Sequence, residues 1–158
     1  MPWPILARRP EDRESSGDYF RRLLELRPVN LDGTGLVPAL EETCAAYRDR
    51  LGLTVDADLE DVVVPPPIAY ALLRIAQEAC TNAVRHGQAR RITLSMTRRD
   101  GRVELAVADD GTGFDPAAQR SGSGLAHIRD RAGEVGGTVD IASTPGRGTA
   151  VTVRVPVP

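Results

Sequence analysis

The sequence predicts an α+β protein, a two-layer sandwich in which three helices cover one face of a mixed, mainly antiparallel sheet. Three observations lead there. Alternating apolar residues mark four strands, in "RITLSMT", "VELAVAD", "GTVDIAS" and "TAVTVRV". Apolar residues at helical spacing mark three amphipathic helices. Helices and strands also fail to alternate in the regular way that builds a doubly wound parallel sheet. With 158 residues, 41% of them hydrophobic, the chain can bury one sizeable core.

Residues 1–14 hold three prolines and a charge cluster and read as a lead-in. In "SGDYFRRLLELR", Phe20, Leu23 and Leu24 fit a short helix that Pro28 stops, the tail of a helix beginning upstream. The division expected is therefore a lead-in over 1–25 and one domain over 26–158. After the turn "LDGTG", Leu36, Leu40, Cys44, Tyr47 and Leu51 define a second helix, which ends at Gly52. "LTVDADL" alternates as a short strand, and "VVVPPP" leads into a long helix with Pro67 in its first turn. Ile68, Leu72, Ile75, Ala76, Ala79 and Ala83 form the apolar stripe of that helix.

Two strands follow, with Ile92, Leu94 and Met96 apolar on the first and Val103, Leu105 and Val107 on the second; "RDGR" joins them as a hairpin turn. A glycine-rich stretch from Asp109 to Gly124 precedes a helix from about Leu125 to Val135. The chain closes on a second hairpin around "TPGRG", with Val151, Val153 and Val155 pointing one way.

The formal net charge of −2 gives no bulk attraction to nucleic acid or a membrane surface, and neither is an expected partner. All 20 basic residues are arginine, which excludes Schiff-base lysine chemistry and the lysine of a phosphate-binding P-loop. Cys44 and Cys80 lack a CxxC spacing and read as small buried residues in a reducing compartment. No run approaches the ~20 apolar residues of a membrane span, and "MPWPILARRP" is too short and proline-broken for a secretory signal. A cytoplasmic chain is expected, with a parent protein that can still be anchored in a membrane.

Four stretches carry chemistry. On the long helix Glu78, Asn82, Arg85 and His86 fall at i, i+4, i+7 and i+8, a polar row set opposite the apolar stripe. Its flanks are small and apolar, and asparagine is a poor helix former, so a requirement other than solvation holds Asn82 there. In "VADDGTGFD" a strand ends at Asp109, and Gly111 and Gly113 let backbone pass close to a ligand beside a fixed carboxylate. These acids lack the alternate-position oxygens of a calcium loop. In "SGSGLAHIRDRAGEVGG", Gly122 and Gly124 precede a helix start, whose free N–H groups favour a phosphate. His127 at the third glycine position excludes the dinucleotide fingerprint, and Ser121 at the first position of G-x-S-x-G excludes a nucleophile elbow. Finally, "STPGRGTAV" is a tight turn, with Thr149 opening the last strand.

In this order and spacing the four stretches resemble the ATP-binding catalytic domain of sensor histidine kinases, within the GHKL or Bergerat-fold ATPases. "LRPVNLDGTGLVPALEETC", "QEACTNAVRH" and "GLAHIRDRAGEVGG" look most like the nitrate/nitrite-sensor subfamily, whose lid over the nucleotide is short; here it spans roughly residues 114–121. The resemblance implies ATP and Mg²⁺ as cofactors. It implies that Asn82 ligates Mg²⁺, that Glu78 holds a water, that Arg85 neutralises phosphate charge and that His86 borders the ribose or phosphates. It implies that Asp109 accepts from the adenine amino group with Gly111 and Gly113 beside the base. Gly122, Gly124 and Leu125 would direct N–H groups at the phosphates, and Thr149 would support Asp109 through a water.

The implied reaction is in-line transfer of the ATP γ-phosphoryl group to a histidine. His86 and His127 are the only histidines and neither has the neighbours of an acceptor helix. The expected partners are thus a histidine-bearing dimerisation domain outside this chain and, through it, a response regulator. A free-standing anti-sigma-type serine kinase and a non-catalytic nucleotide-binding module are the alternatives.

Overall fold

The computed structural model describes residues 35–115 and 124–158. The expected lead-in over 1–25, its helix and the start of the domain at 26 lie outside the described residues, as do Gly122 and residues 116–121 of the expected lid. Among the described residues three helices and five strands follow one another as α1 (Leu36–Leu51), β1 (Thr54–Leu59), α2 (Pro66–Arg85), β2 (Arg91–Arg99), β3 (Arg102–Asp109), α3 (Gly124–Glu134), β4 (Thr138–Ser143) and β5 (Thr149–Pro156). The sheet order is β1-β2-β3-β5-β4. Only the β1–β2 pairing is parallel; β2–β3, β3–β5 and β4–β5 are antiparallel. The α+β sandwich with a mixed sheet is therefore the observed architecture.

Hydrophobic alternation sets the register. Leu94 lies opposite Val107, Met96 opposite Leu105, Leu105 opposite Val153 and Val107 opposite Val151. All of these are buried on the helix side of the sheet. A slip by one residue would turn this whole set to the other face, so burial fixes the pairing. Between β2 and β3 the Asp100–Gly101 pair has φ 52° and 73°, the geometry of a two-residue hairpin whose twist suits its strands.

β1 is the strand whose partner the alternation does not reveal. Its chain continues through α2 before returning as β2, and a helical crossover brings the chain back to the same end of the sheet. The two strands must then run parallel.

α2 is buried more widely than one stripe. Leu72, Ile75, Ala76, Ala79 and Ala83 are buried as expected, but Leu73, Gln77, Cys80 and Thr81 are too, while Ile68 is only partly so. The reason is position: α2 packs against the sheet, α1 and α3 together. At about 100° per residue the polar row stands roughly a quarter-turn from the sheet-facing stripe, and the residues opposite it are Leu73 and Cys80. The row is thus beside the stripe rather than opposite it. Each fully buried Leu or Ile in this layer contributes about 1.5–3 kcal/mol of transfer free energy.

Candidate functional site

The topology gathers the chemistry-bearing residues at one end of the sheet. α2 ends at Arg85, and five residues separate it from the start of β2 at Arg91. Ile92 near that start pairs with Asp109, the last residue of β3, and Asp109 pairs on its other side with Thr149, the first residue of β5. β4 begins with Thr138 opposite Arg154, far from Thr149, so α3, which leads into it, has its C-terminus at the far end and its N-terminus, Gly124, at the near end. The end of α2, the end of β3, the start of β5 and the start of α3 therefore share one edge of the molecule.

Hydrogen bonds stitch the edge together. Thr112 N–H donates to the Gly87 carbonyl at 2.7 Å, and the Thr112 hydroxyl to the His86 carbonyl at 3.4 Å, tying the loop after β3 to the end of α2. Gly146 N–H donates to the Thr112 carbonyl at 2.6 Å, tying the same loop to the β4–β5 turn. The glycines are needed for these chain-to-chain approaches. A Cβ on Gly111 would strike the Gly87 carbonyl and the Asp109 carboxylate, and one on Gly113 would strike the Thr144 and Gly148 carbonyls. The close backbone approach expected at Gly111 and Gly113 is thus realised in part between segments of the protein itself.

Asp109 is half-buried, and its Oδ1 accepts from Gly111 N–H at 2.8 Å. Burial raises its pKa; the N–H groups of Gly111 and Thr149 pull against that, and the charge of Asp110 adds to it. Because protonation is favoured more in the folded state, this carboxyl's favourable contribution to stability is fully present below its unfolded pKa and is lost as pH rises through its folded one. Ionising this half-buried carboxyl therefore costs stability, as is common for functional groups. Its neighbour differs. Asp110 turns outward, and its Oδ1 accepts from the N–H groups of Arg90 and Arg91, both at 2.9 Å. Burial raises its pKa slightly, but these donors and the Arg91 charge overcome that and lower it.

Asp110 is accordingly a structural clamp on the start of β2. Asp110→Ala is expected to lower unfolding stability at neutral pH by about 1 kcal/mol, an exposed site's share of two charge-assisted hydrogen bonds. A depressed pKa stabilises above the unfolded value and is lost as pH falls through the folded value. Urea melts of variant and wild type should therefore converge in acid.

The polar row of α2 meets this edge. Glu78 and Asn82 are half-buried, while Arg85 and His86 are exposed, with His86 closing the helix as its C-cap. Glu78 Oε1 lies 4.0 Å from Nδ1 of His127 on the first turn of α3, a pairing the sequence does not reveal. The row is also one turn longer than the motif: Arg74 precedes Glu78 by four residues and donates from Nη1 to Gln77 Oε1 at 3.2 Å. Gly124 opens α3, and Leu125 buries its side chain in the core, leaving its backbone as the part that can serve a ligand. Thr149 Oγ1 is bonded to Ser143 Oγ at 2.8 Å. Ser143, which sequence reasoning passed over as a strand end, also accepts from Phe114 N–H at 2.9 Å and donates to the Gly148 carbonyl at 3.0 Å. It pins the loop after β3 to the last hairpin.

Among the described residues no three His, Cys, Asp or Glu side chains cluster as a metal site. The oxygens of Asn82 and Glu78 do suit a hard cation such as Mg²⁺, but only as a minority of its ligands. The donor set thus fits a cation that arrives with phosphate and water already bound.

Residues 69–158 match the family of histidine kinase-, DNA gyrase B-, and HSP90-like ATPases, which covers more than half of the chain. The chain belongs to that family. Among sensor kinases, it is 33% identical over 145 residues to LiaS of Bacillus subtilis, covering 91% of this chain and 40% of LiaS. To VraS of Staphylococcus aureus it is 32% identical over 155 residues, covering 98% of this chain and 44% of VraS. The chain therefore spans less than half the length of these curated relatives.

Of solved structures, the histidine kinase domain of the Erythrobacter litoralis blue-light activated histidine kinase superposes with a TM-score of 0.70 at 22% identity, over 90% of this chain and 74% of that one, a likeness of fold. The ATP binding domain of PrrB from Mycobacterium tuberculosis superposes with a TM-score of 0.58 at 26% identity, over 78% of this chain and 91% of that one. The expected architecture and family are both met, and the class is a histidine-kinase-type ATP-binding domain.

Proposed function

We propose that this domain binds Mg²⁺-ATP at the shared edge and passes the γ-phosphoryl group to a histidine on a separate dimerisation domain, from which a response regulator takes it. The observation that carries the reading is the convergence of two half-buried polar groups, Asn82 at the end of α2 and Asp109 at the end of β3, on one edge. Asp109, held by Gly111 N–H through Oδ1, has acceptor capacity left for an adenine amino group. Guanine offers a carbonyl at that position, so the carboxylate selects adenine.

Gly111 and Gly113 keep the wall beside the base free of side chains. Arg85, exposed at the helix end, neutralises phosphate charge, and His86 borders the ribose or phosphates. Gly124 and the Leu125 backbone offer N–H groups at the start of α3, where the helix dipole favours an anion, and Gly122, outside the described residues, is expected to serve the phosphates with them. Mg²⁺, when bound, would supply charge neutralisation to the phosphates. Asn82 would give it a side-chain oxygen, Glu78 would orient a water, and Thr149 would steady Asp109. Transfer breaks the bond from the γ-phosphorus to its bridging oxygen and forms a P–N bond to the acceptor imidazole, with ADP leaving. These residues contribute position and charge neutralisation.

The stretches "QEACTNAVRH" and "GLAHIRDRAGEVGG" favour the nitrate/nitrite-sensor type of kinase, with this domain on the cytoplasmic side. Among the described residues no helix is long and apolar enough to cross a membrane. Asn82→Ala is the test of the reading. Calorimetry should show Mg²⁺-ATP affinity falling by roughly a hundredfold or more, the loss of a metal ligand and its alignment, while adenosine without metal binds as before. Equal Mg²⁺-ATP affinity in variant and wild type would reject it.

A further inference from the structure

We propose that Tyr47 is a positioning residue for the nucleotide site, acting across the buried seam between α1 and α2 by fixing the rotation of the helix that carries Asn82. The inference rests on the reading that Asn82 serves Mg²⁺-ATP. The Tyr47 hydroxyl lies 3.2 Å from Thr81 Oγ1, joining residues 34 positions apart in sequence. Tyr47 is 1% exposed and Thr81 9%, so neither hydroxyl has solvent as a ready alternative. Thr81 immediately precedes Asn82.

A hydroxyl pair is a poor choice for this seam if stability were its only purpose. Phenylalanine and valine would fill the same space, and exchanging both partners of a buried hydrogen bond for apolar groups of like shape is close to neutral. What the pair adds is direction. The large side chains that lock α2 into the core, Leu72, Leu73 and Ile75, all belong to its first half; from Ala76 on it packs through Ala76, Ala79, Cys80 and Ala83, small residues with few interlocking shapes. The half that carries Asn82 is therefore well buried but only lightly held against local twisting about the helix axis.

A turn of about 20° would carry a side-chain oxygen some 5 Å from the axis through about 2 Å. That is comparable to a whole Mg²⁺–oxygen bond of roughly 2.0–2.1 Å. The site is therefore sensitive to helix rotation that the hydrophobic packing alone leaves soft. One turn back along the helix Glu78 reaches an exposed His127 at 4.0 Å, a looser tie than the Tyr47 clasp.

Asp109 stands on the sheet rather than on α2 and should not feel the rotation. This separates positioning from general loosening. In the 158-residue chain, Tyr47→Phe and Thr81→Val are each expected to weaken Mg²⁺-ATP binding roughly tenfold, with metal-free adenosine binding held within about twofold. The double variant should be no weaker than either single one, since both remove the same bond. Thr81→Ser, which keeps the hydroxyl, should restore affinity.

Titration of folded protein, with the folded fraction checked by circular dichroism, makes the comparison. Unchanged Mg²⁺-ATP affinity in Thr81→Val overturns the proposal even if Tyr47→Phe fails to fold. Parallel losses of Mg²⁺-ATP and adenosine binding overturn it as well, since they indicate structural damage only. Asn82→Ala is run beside them. If it too leaves Mg²⁺-ATP binding intact, the nucleotide reading itself has failed; if it alone abolishes binding, the failure belongs to the clasp.

Discussion

Asp109→Asn is expected to lose adenine-nucleotide binding by roughly a hundred- to a thousandfold while the unliganded domain stays folded. The exchange is nearly isosteric, and the new amide can still present its oxygen to Gly111 N–H, which the present carboxylate meets at 2.8 Å. Its nitrogen must then face the ligand. An adenine amino group would confront a second donor where it had found an acceptor. The loss is one hydrogen bond to a charged group, about 1.5–3 kcal/mol, with a further ~1–3 kcal/mol for a polar group left unpaired. Stability should move the other way. Burial raises the Asp109 pKa, so ionisation at neutral pH works against folding, and a neutral amide removes that burden. Thermal melts without nucleotide should show the variant at least as stable as wild type near pH 7 and the difference shrinking in acid. A variant that binds ATP normally would remove Asp109 from the site.

This opposition between folding and binding also shows which parts of the site the sequence could reveal. The polar row of α2 is legible because helical periodicity alone puts Glu78, Asn82, Arg85 and His86 near one another. Asp109 is legible because a strand pattern stops at it and glycines follow. Which of two adjacent acids turns toward the ligand is decided by strand alternation, and here Asp109 faces inward while Asp110 caps the amides of Arg90 and Arg91. The sequence pattern did not expose the clamp role of Asp110, since its donors are backbone groups 19 and 20 residues away.

Long-range contacts explain the remaining gaps. Ser143 sits in a strand whose pattern describes its burial but not its three-way bonding to Phe114, Gly148 and Thr149. The Tyr47–Thr81 contact joins two helices that each read as complete alone. Helical periodicity itself sets the polar row a quarter-turn from the apolar stripe rather than opposite it; what periodicity does not supply is how many neighbours a helix has. α2 has the sheet, α1 and α3 around it, and its burial extends through Leu73, Cys80 and Thr81 accordingly. The parallel β1–β2 pair follows from connectivity rather than from composition, as β1's alternation is compatible with either direction.

The last hairpin offers a comparison in which backbone strain and steric contact can be separated. Gly146 and Gly148 both have positive φ, 82° and 81°, so an added Cβ is strained at each. Around Gly146 no atom lies within 4 Å of that Cβ, and Gly146→Ala should cost about 1–2 kcal/mol, the penalty of a left-handed conformation for an L-residue. At Gly148 the Cβ would run into the Asp109 carbonyl, which belongs to the neighbouring strand and cannot swing aside like a flexible side chain. Relief requires separating β3 from β5 where Asp109 pairs with Thr149. Gly148→Ala should therefore cost upward of about 3–4 kcal/mol, a large fraction of a small domain's stability. Any protein that still folds should bind nucleotide poorly, because the carboxylate moves with its carbonyl. Urea unfolding of the two variants side by side provides the measurement, and similar midpoints would show that the close approach of Gly148 to Asp109 is not what holds this end of the sheet together.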